Sequence, residues 1–195
     1  RVDFLDISQI PISGFVRFAG TACLIDSAEI LINGRSLVPP RYTDVNGKFV
    51  VEFEPGATGQ QLSVRFKDHE FTPGFIELPR IIKPITGLFF DDLVKREING
   101  YVVGGTQRVP IATLAGPTTV TVISKDRCFE AATEPNASGR YVLDGLPPVI
   151  FDLAVDHKDP QINPTFNAAV VNVQDEDTSL DFVYRAPPEV EISGF

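Results

Sequence analysis

Tryptophan and methionine are absent from the 195-residue chain, and histidine and cysteine occur only twice each. Two histidines leave little for a zinc centre, which wants three or four convergent ligands, or for a Ser-His-Asp site. Two cysteines allow one disulfide at most. A basic excess is also missing. The net charge is −9, which argues against a nucleic-acid backbone as partner, since that needs a basic face. No apolar run approaches the ~18 residues of a membrane-spanning helix, and no window holds the 3.6-residue period of an amphipathic one. There is no G-x-S-x-G, no H-E-x-x-H, no C-x-x-C and no phosphate-cradling glycine loop. Gly104-Gly105-Thr106 has no helix after it and reads as a turn. The start, Arg1-Val2-Asp3-Phe4, reads as the middle of a strand, so any targeting segment is expected to have been cut away. These absences predict no enzyme, no cofactor and no membrane insertion in this segment.

What is present is a β-rich composition with punctuation. Apolar residues make up 43%, phenylalanine is frequent at 15, and 16 prolines and 15 glycines fall between the apolar runs. The stretch Ile98-Asn99-Gly100-Tyr101 has counterparts at Ile12-Ser13-Gly14-Phe15 and Ile192-Ser193-Gly194-Phe195, spaced 86 and 94 residues apart. Before each lies an apolar strand: Phe4 to Ile12 and Phe90 to Ile98 are eight residues apart, and Phe182 to Ile192 ten. The spacing predicts a tandem array that continues past both ends. Residues 1–11 would be the last strand of a preceding repeat plus linker, 12–95 and 96–188 two repeats, and 189–195 the first strand of a following one. The links are short and not Gly/Ser-rich, which predicts end-to-end units with limited freedom. Charge is unevenly shared: residues 12–97 carry 10 basic and 11 acidic side chains, and residues 98–191 carry 6 and 13. Solubility is the plain reading of that asymmetry, and a cation site on the second repeat the sharper one.

Within the repeats, Thr43-Asp44-Val45-Asn46-Gly47-Lys48-Phe49 aligns with Thr133-Glu134-Pro135-Asn136-Ala137-Ser138-Gly139-Arg140-Tyr141, which sets Asn136 against Asn46-Gly47. Leu62 to His69 aligns with Phe151 to His157 with a one-residue slip, and Thr72-Pro73 with Asn163-Pro164. Apolar residues alternate with period two at Phe49, Val51 and Phe53, at Leu62, Val64 and Phe66, at Val120 and Val122, and at Phe151, Leu153 and Val155. Seven strands per repeat are expected, near 12–18, 28–33, 36–43, 48–54, 61–67, 73–79 and 85–91, then 98–104, 118–124, 127–133, 140–144, 150–156, 166–173 and 179–184. Seven short antiparallel strands in such a length make a β-sandwich.

The second repeat carries a recognisable pattern: Ile98-Asn99-Gly100-Tyr101-Val102-Val103, a Pro110-Ile111 turn, Val120-Thr121-Val122, Thr133, Ser138-Gly139-Arg140-Tyr141-Val142-Leu143, Gly145-Leu146-Pro147-Pro148 and Phe151-Asp152-Leu153-Ala154-Val155. It resembles the carboxypeptidase regulatory-like, or transthyretin-like, domain over about 60 residues. The first repeat keeps Gly14, Thr43, Asn46-Gly47-Lys48-Phe49 and Leu62-Ser63-Val64, but has Glu54-Pro55-Gly56 where the Leu-Pro turn would be. The resemblance implies two tandem all-β, seven-stranded Ig-like sandwiches, modules that usually serve as non-catalytic stalks or spacers in secreted and surface proteins. Related collagen-adhesin B-type domains lock themselves with a Lys–Asn isopeptide bond. The first strands here, Ile12–Phe18 and Ile98–Gly104, contain no lysine, so no such bond is expected.

Cys23 falls between strands 1 and 2 of the first repeat, and Cys128 just after strand 2 of the second. In an up-and-down path those loops lie at the facing poles of neighbouring units. A Cys23–Cys128 disulfide is therefore expected, against the alternative of two buried free thiols. It would close a loop of 105 residues, worth about 4–5 kcal/mol in the chain-entropy model, and would imply an oxidising compartment. Asp68-His69 and Asp156-His157 recur after strand 5. One histidine per repeat is no ligand cluster, and a loop histidine fixing a turn is the expectation. The same pole argument brings Asp44 and Asp68 towards Asp175, Glu176 and Asp177, a weaker candidate for interdomain Ca²⁺, which takes six to eight oxygens. Asp44-Val45-Asn46-Gly47 is too short for an EF-hand loop and reads as a hairpin turn. The sequon Asn136-Ala137-Ser138 makes Asn136 a candidate glycosylation site in a secreted protein, or else a turn asparagine.

The function expected from these residues is structural: a stalk, fibre or filament spacer of a large extracellular or cell-surface protein. Its partners are the neighbouring repeats, with other copies of the chain as further ones. An adhesin or glycan-binding module is the alternative and would need an exposed aromatic platform, for which Tyr42 and Tyr101 are candidates. Accessory domains of a secreted enzyme are a third reading.

Overall fold

A computed structural model describes residues 8–105, 107–113, 116–158 and 166–184. The expectations for residues 1–7, for Asn163-Pro164 and for the strand at 189–195 lie outside the described residues. The chain divides into two compact units, residues 1–94 and 95–195.

In the first unit the strands are β1 (Ile10–Phe18), β2 (Glu29–Ile32), β3 (Arg35–Tyr42), β4 (Lys48–Phe53), β5 (Gln60–Arg65), β6 (Phe71–Thr72), β7 (Ile76–Leu78) and β8 (Ile85–Asp92). They form two four-stranded sheets, ordered β4-β1-β8-β6 and β3-β2-β5-β7. Period-two patterning sets the faces. In β4, Phe49, Val51 and Phe53 are buried while Lys48, Val50 and Glu52 are exposed. The buried side chains of β1 (Ile12, Val16, Phe18) and β4, with Phe90 of β8, belong to one sheet, and Ile30 and Leu62 to the other. Burying each such side chain contributes roughly 1.5–3 kcal/mol. Asn33 and Gly34, with φ of 52° and 72°, make the tight turn between β2 and β3, the geometry that an Asn-Gly pair favours in a two-residue hairpin.

In the second unit the strands are β9 (Arg96–Gly104), β10 (Val109–Pro110), β11 (Thr118–Ser124), β12 (Glu130–Thr133), β13 (Arg140–Leu146), β14 (Ile150–His157), β15 (Ala169–Asn172), β16 (Thr178–Ser179) and β17 (Phe182–Tyr184). One sheet runs β10-β9-β13, with β16 and β17 also paired to β9, and the other runs β12-β11-β14-β15. Their inner faces share a core of Ile98, Val102, Tyr141 and Leu143 from the first sheet and Val120, Val122, Phe151 and Leu153 from the second. Among the described residues the fold is all-β, and its one helical element is a 3₁₀ turn at Ile111–Thr113. Among the described residues no helix is long and apolar enough to cross a membrane.

Three features differ from the sequence expectation. The first unit has eight strands and the second nine among the described residues, where seven each were expected, because short two- and three-residue pairings break the expected runs. The sheets are not purely antiparallel: β1 pairs antiparallel with β4 but parallel with β8, and β16 and β17 lie parallel to β9. The closing strand has the same sense as the opening one and crosses over to lie beside it. The segment expected as a strand from 127 begins at Glu130 instead. Arg127 sits at φ 57° and its N–H bonds the Ser124 carbonyl at 2.8 Å, so residues 125–129 turn before pairing resumes.

Candidate functional site

The glycine of the opening strand sits where three strands meet. In the first unit Gly14 of β1 lies opposite Phe49 of β4 on one side and Leu88 of β8 on the other. A Cβ there would stand 2.3 Å from the Leu88 carbonyl oxygen and 2.7 Å from the Phe49 ring. In the second unit Gly100 of β9 lies opposite Tyr141 of β13, and a Cβ would stand 1.8 Å from the Leu180 carbonyl oxygen and 3.1 Å from the Tyr141 ring. Only a residue without a side chain lets the closing segment approach so near. The aromatic that covers the glycine packs on the closing strand in both units: Phe49 on Phe90, with ring centroids 6.2 Å apart, and Tyr141 on Phe182 at 6.1 Å. Tyr141 adds a hydrogen bond, its hydroxyl donating to the Leu180 carbonyl at 2.7 Å.

The turn leading into the covering aromatic is built alike in both units. Asp44 Oδ1 accepts the N–H groups of Asn46 (2.9 Å) and Lys48 (3.0 Å). Asn136 Oδ1 accepts those of Ser138 (2.9 Å) and Arg140 (3.0 Å). The closing glycine has φ 63° at Gly47 and 79° at Gly139. Its carbonyl accepts the N–H of Val16 in the first unit and of Val102 in the second, at 2.9 and 2.8 Å. Asn136 therefore takes the place of Asp44, and not of Asn46-Gly47 as the sequence alignment had it. The two extra residues, Glu134-Pro135, precede the turn and do not lengthen it. Asn136 is exposed, and its side-chain oxygen also accepts the Ser138 hydroxyl at 2.7 Å.

The buried Tyr141 hydroxyl gives a pH test. Burial, and then the negative charge of Asp181, push its pKa well above the ordinary tyrosine value, and burial pushes Tyr184 the same way. A group whose folded pKa is raised contributes stability that is present below its unfolded pKa and is lost as pH rises towards the folded one. Stability of the second unit should therefore fall as pH climbs past about 10, the unfolded tyrosine value. Tyr141→Phe should cost about 1 kcal/mol at neutral pH for the lost hydrogen bond and should flatten the alkaline slope. Urea titrations at a series of alkaline pH values read both effects, and an unchanged slope would reject the assignment.

The remaining sequence candidates fall as follows. Neither cysteine is free; Cys23, buried between β1 and β2, and Cys128, in the turn before β12, are both disulfide-bonded. The Ser124 hydroxyl lies 3.3 Å from the Cys128 sulfur. Of the proposed calcium ligands, Asp44 is committed to its turn, and Asp177 Oδ1 accepts the Glu97 N–H at 2.9 Å. Asp68, Asp175 and Glu176 are exposed, Asp68 after β5 and the other two between β15 and β16. Tyr42 and Tyr101 are 55% and 40% exposed, each on a strand and neither in the core. An aromatic cluster that the sequence did not flag lies on the outer face of the first unit, where Phe15 stacks on Phe89 at 5.7 Å and the Arg17 guanidinium sits over the Phe89 ring at 4.8 Å.

The histidines are not loop fixtures of one kind. His69 follows β5, and its Nδ1 lies 2.5 Å from Oδ2 of Asp92, the last residue of β8; their side chains are 5% and 0% exposed. Nothing local marks this pair, since Asp92 is 23 residues away. His157 ends β14 as a buried strand residue, with Nδ1 2.6 Å from the Thr118 hydroxyl and Nε2 without a partner among the described residues. Thr43, present in the sequence motif without a stated role, is buried. Its hydroxyl accepts the Ala28 N–H at 2.9 Å and donates to the Ile25 carbonyl at 2.7 Å, which stitches the loop before β2 to the end of β3. A cleft of about 210 Å³ lies between β3 and β4, lined by Gln9, Leu37, Val38, Pro39, Arg41, Val51 and Glu52. It holds no histidine, cysteine or hydroxyl side chain and so offers no nucleophile with an adjacent base.

No family model matches the chain, and no curated protein matches it. Among solved structures it is similar to the Bacillus anthracis TIE protein, at 12% identity over 92% of this chain and 34% of that one with a TM-score of 0.46. It is similar also to a streptococcal ancillary pilin, at 11% identity over 94% of this chain and 64% of that one with a TM-score of 0.40. A third is GBS52, the minor pilin of Streptococcus agalactiae, at 8% identity over 95% of this chain and all of that one with a TM-score of 0.43. The chain thus spans about a third of the first of these and under two thirds of the second. At such identities and scores the likeness says nothing about activity or partners.

Proposed function

We propose that the chain is a non-catalytic structural spacer of a secreted or cell-surface protein. Its two units would be tandem repeats of one transthyretin-like sandwich, joined by a Cys23–Cys128 disulfide that limits bending at the link. The oxidised state of both cysteines carries this reading: the chain has two cysteines, one in each unit, and neither is a free thiol. A bridge between them fits an oxidising compartment. The glycine crossing and its Asx-capped turn support the repeat reading, because the same contacts recur although the covering residue changes from Phe49 to Tyr141. Asp44 and Asn136 are spent on turns, Asp177 on the N–H of Glu97 in β9, and Thr43 on the loop before β2, roles that hold a module in shape.

Proteolysis without reductant, followed by mass spectrometry, tests the bridge. The expected product is one linked pair of peptides, containing Cys23 and Cys128, that separates on reduction. Thiols alkylated without reductant, or linkage between two chains, would reject it. Negative-stain images of oxidised and reduced chains should show a wider spread of bend angles after reduction.

A further inference from the structure

We infer that β4 and β13 are homotypic docking edges, through which a second copy of this chain pairs strand to strand in antiparallel sense. Among the described residues both are edge strands, bonded on one side only, to β1 and to β9. The turn contacts fix which way their backbone points. The Gly47 carbonyl faces β1, accepting the Val16 N–H. The alternate residues Lys48, Val50 and Glu52 therefore turn their N–H and C=O groups outward. Those of Lys48 are taken by Asp44, which leaves Val50 and Glu52 open. The second unit repeats this. The Gly139 carbonyl faces Val102, Arg140 is taken by Asn136, and Val142 is open among the described residues; Asp144 follows at a bulge, where the pairing with β9 slips by one residue between Leu143 and Leu146.

The side chains at those outward positions read Lys48-Val50-Glu52 on β4 and Arg140-Val142-Asp144 on β13. Each is cation, valine, anion, and each is its own complement when reversed. Set antiparallel about Val50, two copies place Val50 opposite Val50, with reciprocal N–H to C=O bonds, and Lys48 opposite Glu52 at both ends. Within one copy the two charges stand about 13 Å apart along the strand, beyond ion-pair reach. Lys48, Glu52, Arg140 and Asp144 indeed make no side-chain bond to any described residue. Val50 is 45% exposed. The other edges are closed to pairing by different means: β3 carries Pro39 and Pro40, and β6, β7, β10, β12, β15, β16 and β17 have four residues or fewer. Two such edges on one chain let weak contacts add through avidity.

Sedimentation velocity across a concentration series at low salt tests this on the oxidised chain. Self-association is expected, weakening as salt rises. Lys48→Glu with Arg140→Glu sets like charges opposite each other and should weaken association at least about tenfold. Adding Glu52→Lys and Asp144→Lys to those changes reverses the pattern and should restore it. A chain with the first pair of changes, mixed with a chain carrying only the second, should associate across the mixture but not with itself. These positions are exposed, and unchanged circular dichroism confirms folding. A chain that stays monomeric throughout the series would overturn the inference and leave the charges as guards against edge pairing; variants that associate like the original would overturn it by placing the contact elsewhere. Sedimentation reads association whether or not Cys23 and Cys128 are joined, so this failure would leave the spacer proposal standing, and loss of the bridge would leave this one.

Discussion

Gly100→Ala should unfold the second unit or strip roughly 4 kcal/mol or more from it, the range in which single substitutions are exceptional. A Cβ at 1.8 Å from the Leu180 carbonyl oxygen cannot be absorbed by a side-chain rotation, because the obstructing atom is backbone. The segment must move, and two bonds go with it: the Leu180 N–H to the Asn99 carbonyl at 2.8 Å and the Tyr141 hydroxyl to the Leu180 carbonyl at 2.7 Å. Overpacking of a tight core costs about 1–3 kcal/mol and each lost bond about 1 kcal/mol. Gly14→Ala should follow the same route less severely, since the nearest backbone atom is at 2.3 Å and no tyrosine hydroxyl is involved. Gly74→Ala is the control: its Cβ would meet nothing nearer than 4.0 Å. Denaturant melts followed by circular dichroism, with hydrogen exchange to locate the loss, should rank the three in that order. Gly100→Ala melting with the original chain would show that the closing segment does not pack on β9.

What the sequence revealed, and what it hid, follows from how far each cause acts along the chain. Phe49, Val51 and Phe53 show their strand through period-two alternation, a local property, and β4 lies within a residue of where it was expected. The glycine of the opening strand was legible as a repeat marker. Its reason was not, because the atoms that forbid a side chain belong to Leu88 and Leu180, 74 and 80 residues further on. Aligning Asn136 with Asn46 erred because residue identity was matched, whereas the turn is defined by its backbone. The residue that caps it is the one three before the positive-φ glycine, which is Asp44 in one unit and Asn136 in the other. The parallel pairing of β1 with β8 left no local trace, since strand direction is not written in alternation. Cys23 and Cys128 were legible as loop residues between strands and were expected to be oxidised, and neither is a free thiol.

Asp92→Ala should cost the first unit about 3–5 kcal/mol, the usual result of removing one member of a buried charged or polar pair. The Asp92 carboxyl is fully buried and uses both oxygens: Oδ2 lies 2.5 Å from His69 Nδ1, and Oδ1 accepts the Val94 N–H at 2.9 Å. Its removal leaves a buried imidazole, packed edge-on against Phe66 at 5.2 Å, and a backbone N–H without their acceptor. His69→Ala should cost a similar amount by the converse route, leaving the buried carboxyl without the ring. Asp92→Asn keeps the size and one acceptor oxygen and should lose less than either. Replacing both residues by leucine removes both polar groups together and should recover part of the loss. The exposed pair Lys125–Asp152, with side chains 52% and 50% exposed at 2.6 Å, calibrates the comparison: Lys125→Ala should change stability by about 0–1 kcal/mol. Urea melts of these five variants, and of the double alanine variant of Asp92 and His69, decide it. If Asp92→Ala is no worse than Lys125→Ala, water reaches the His69–Asp92 pair and β8 does not end in a sealed core. If the losses from Asp92→Ala and His69→Ala simply add in the double alanine variant, the two side chains do not act as a unit.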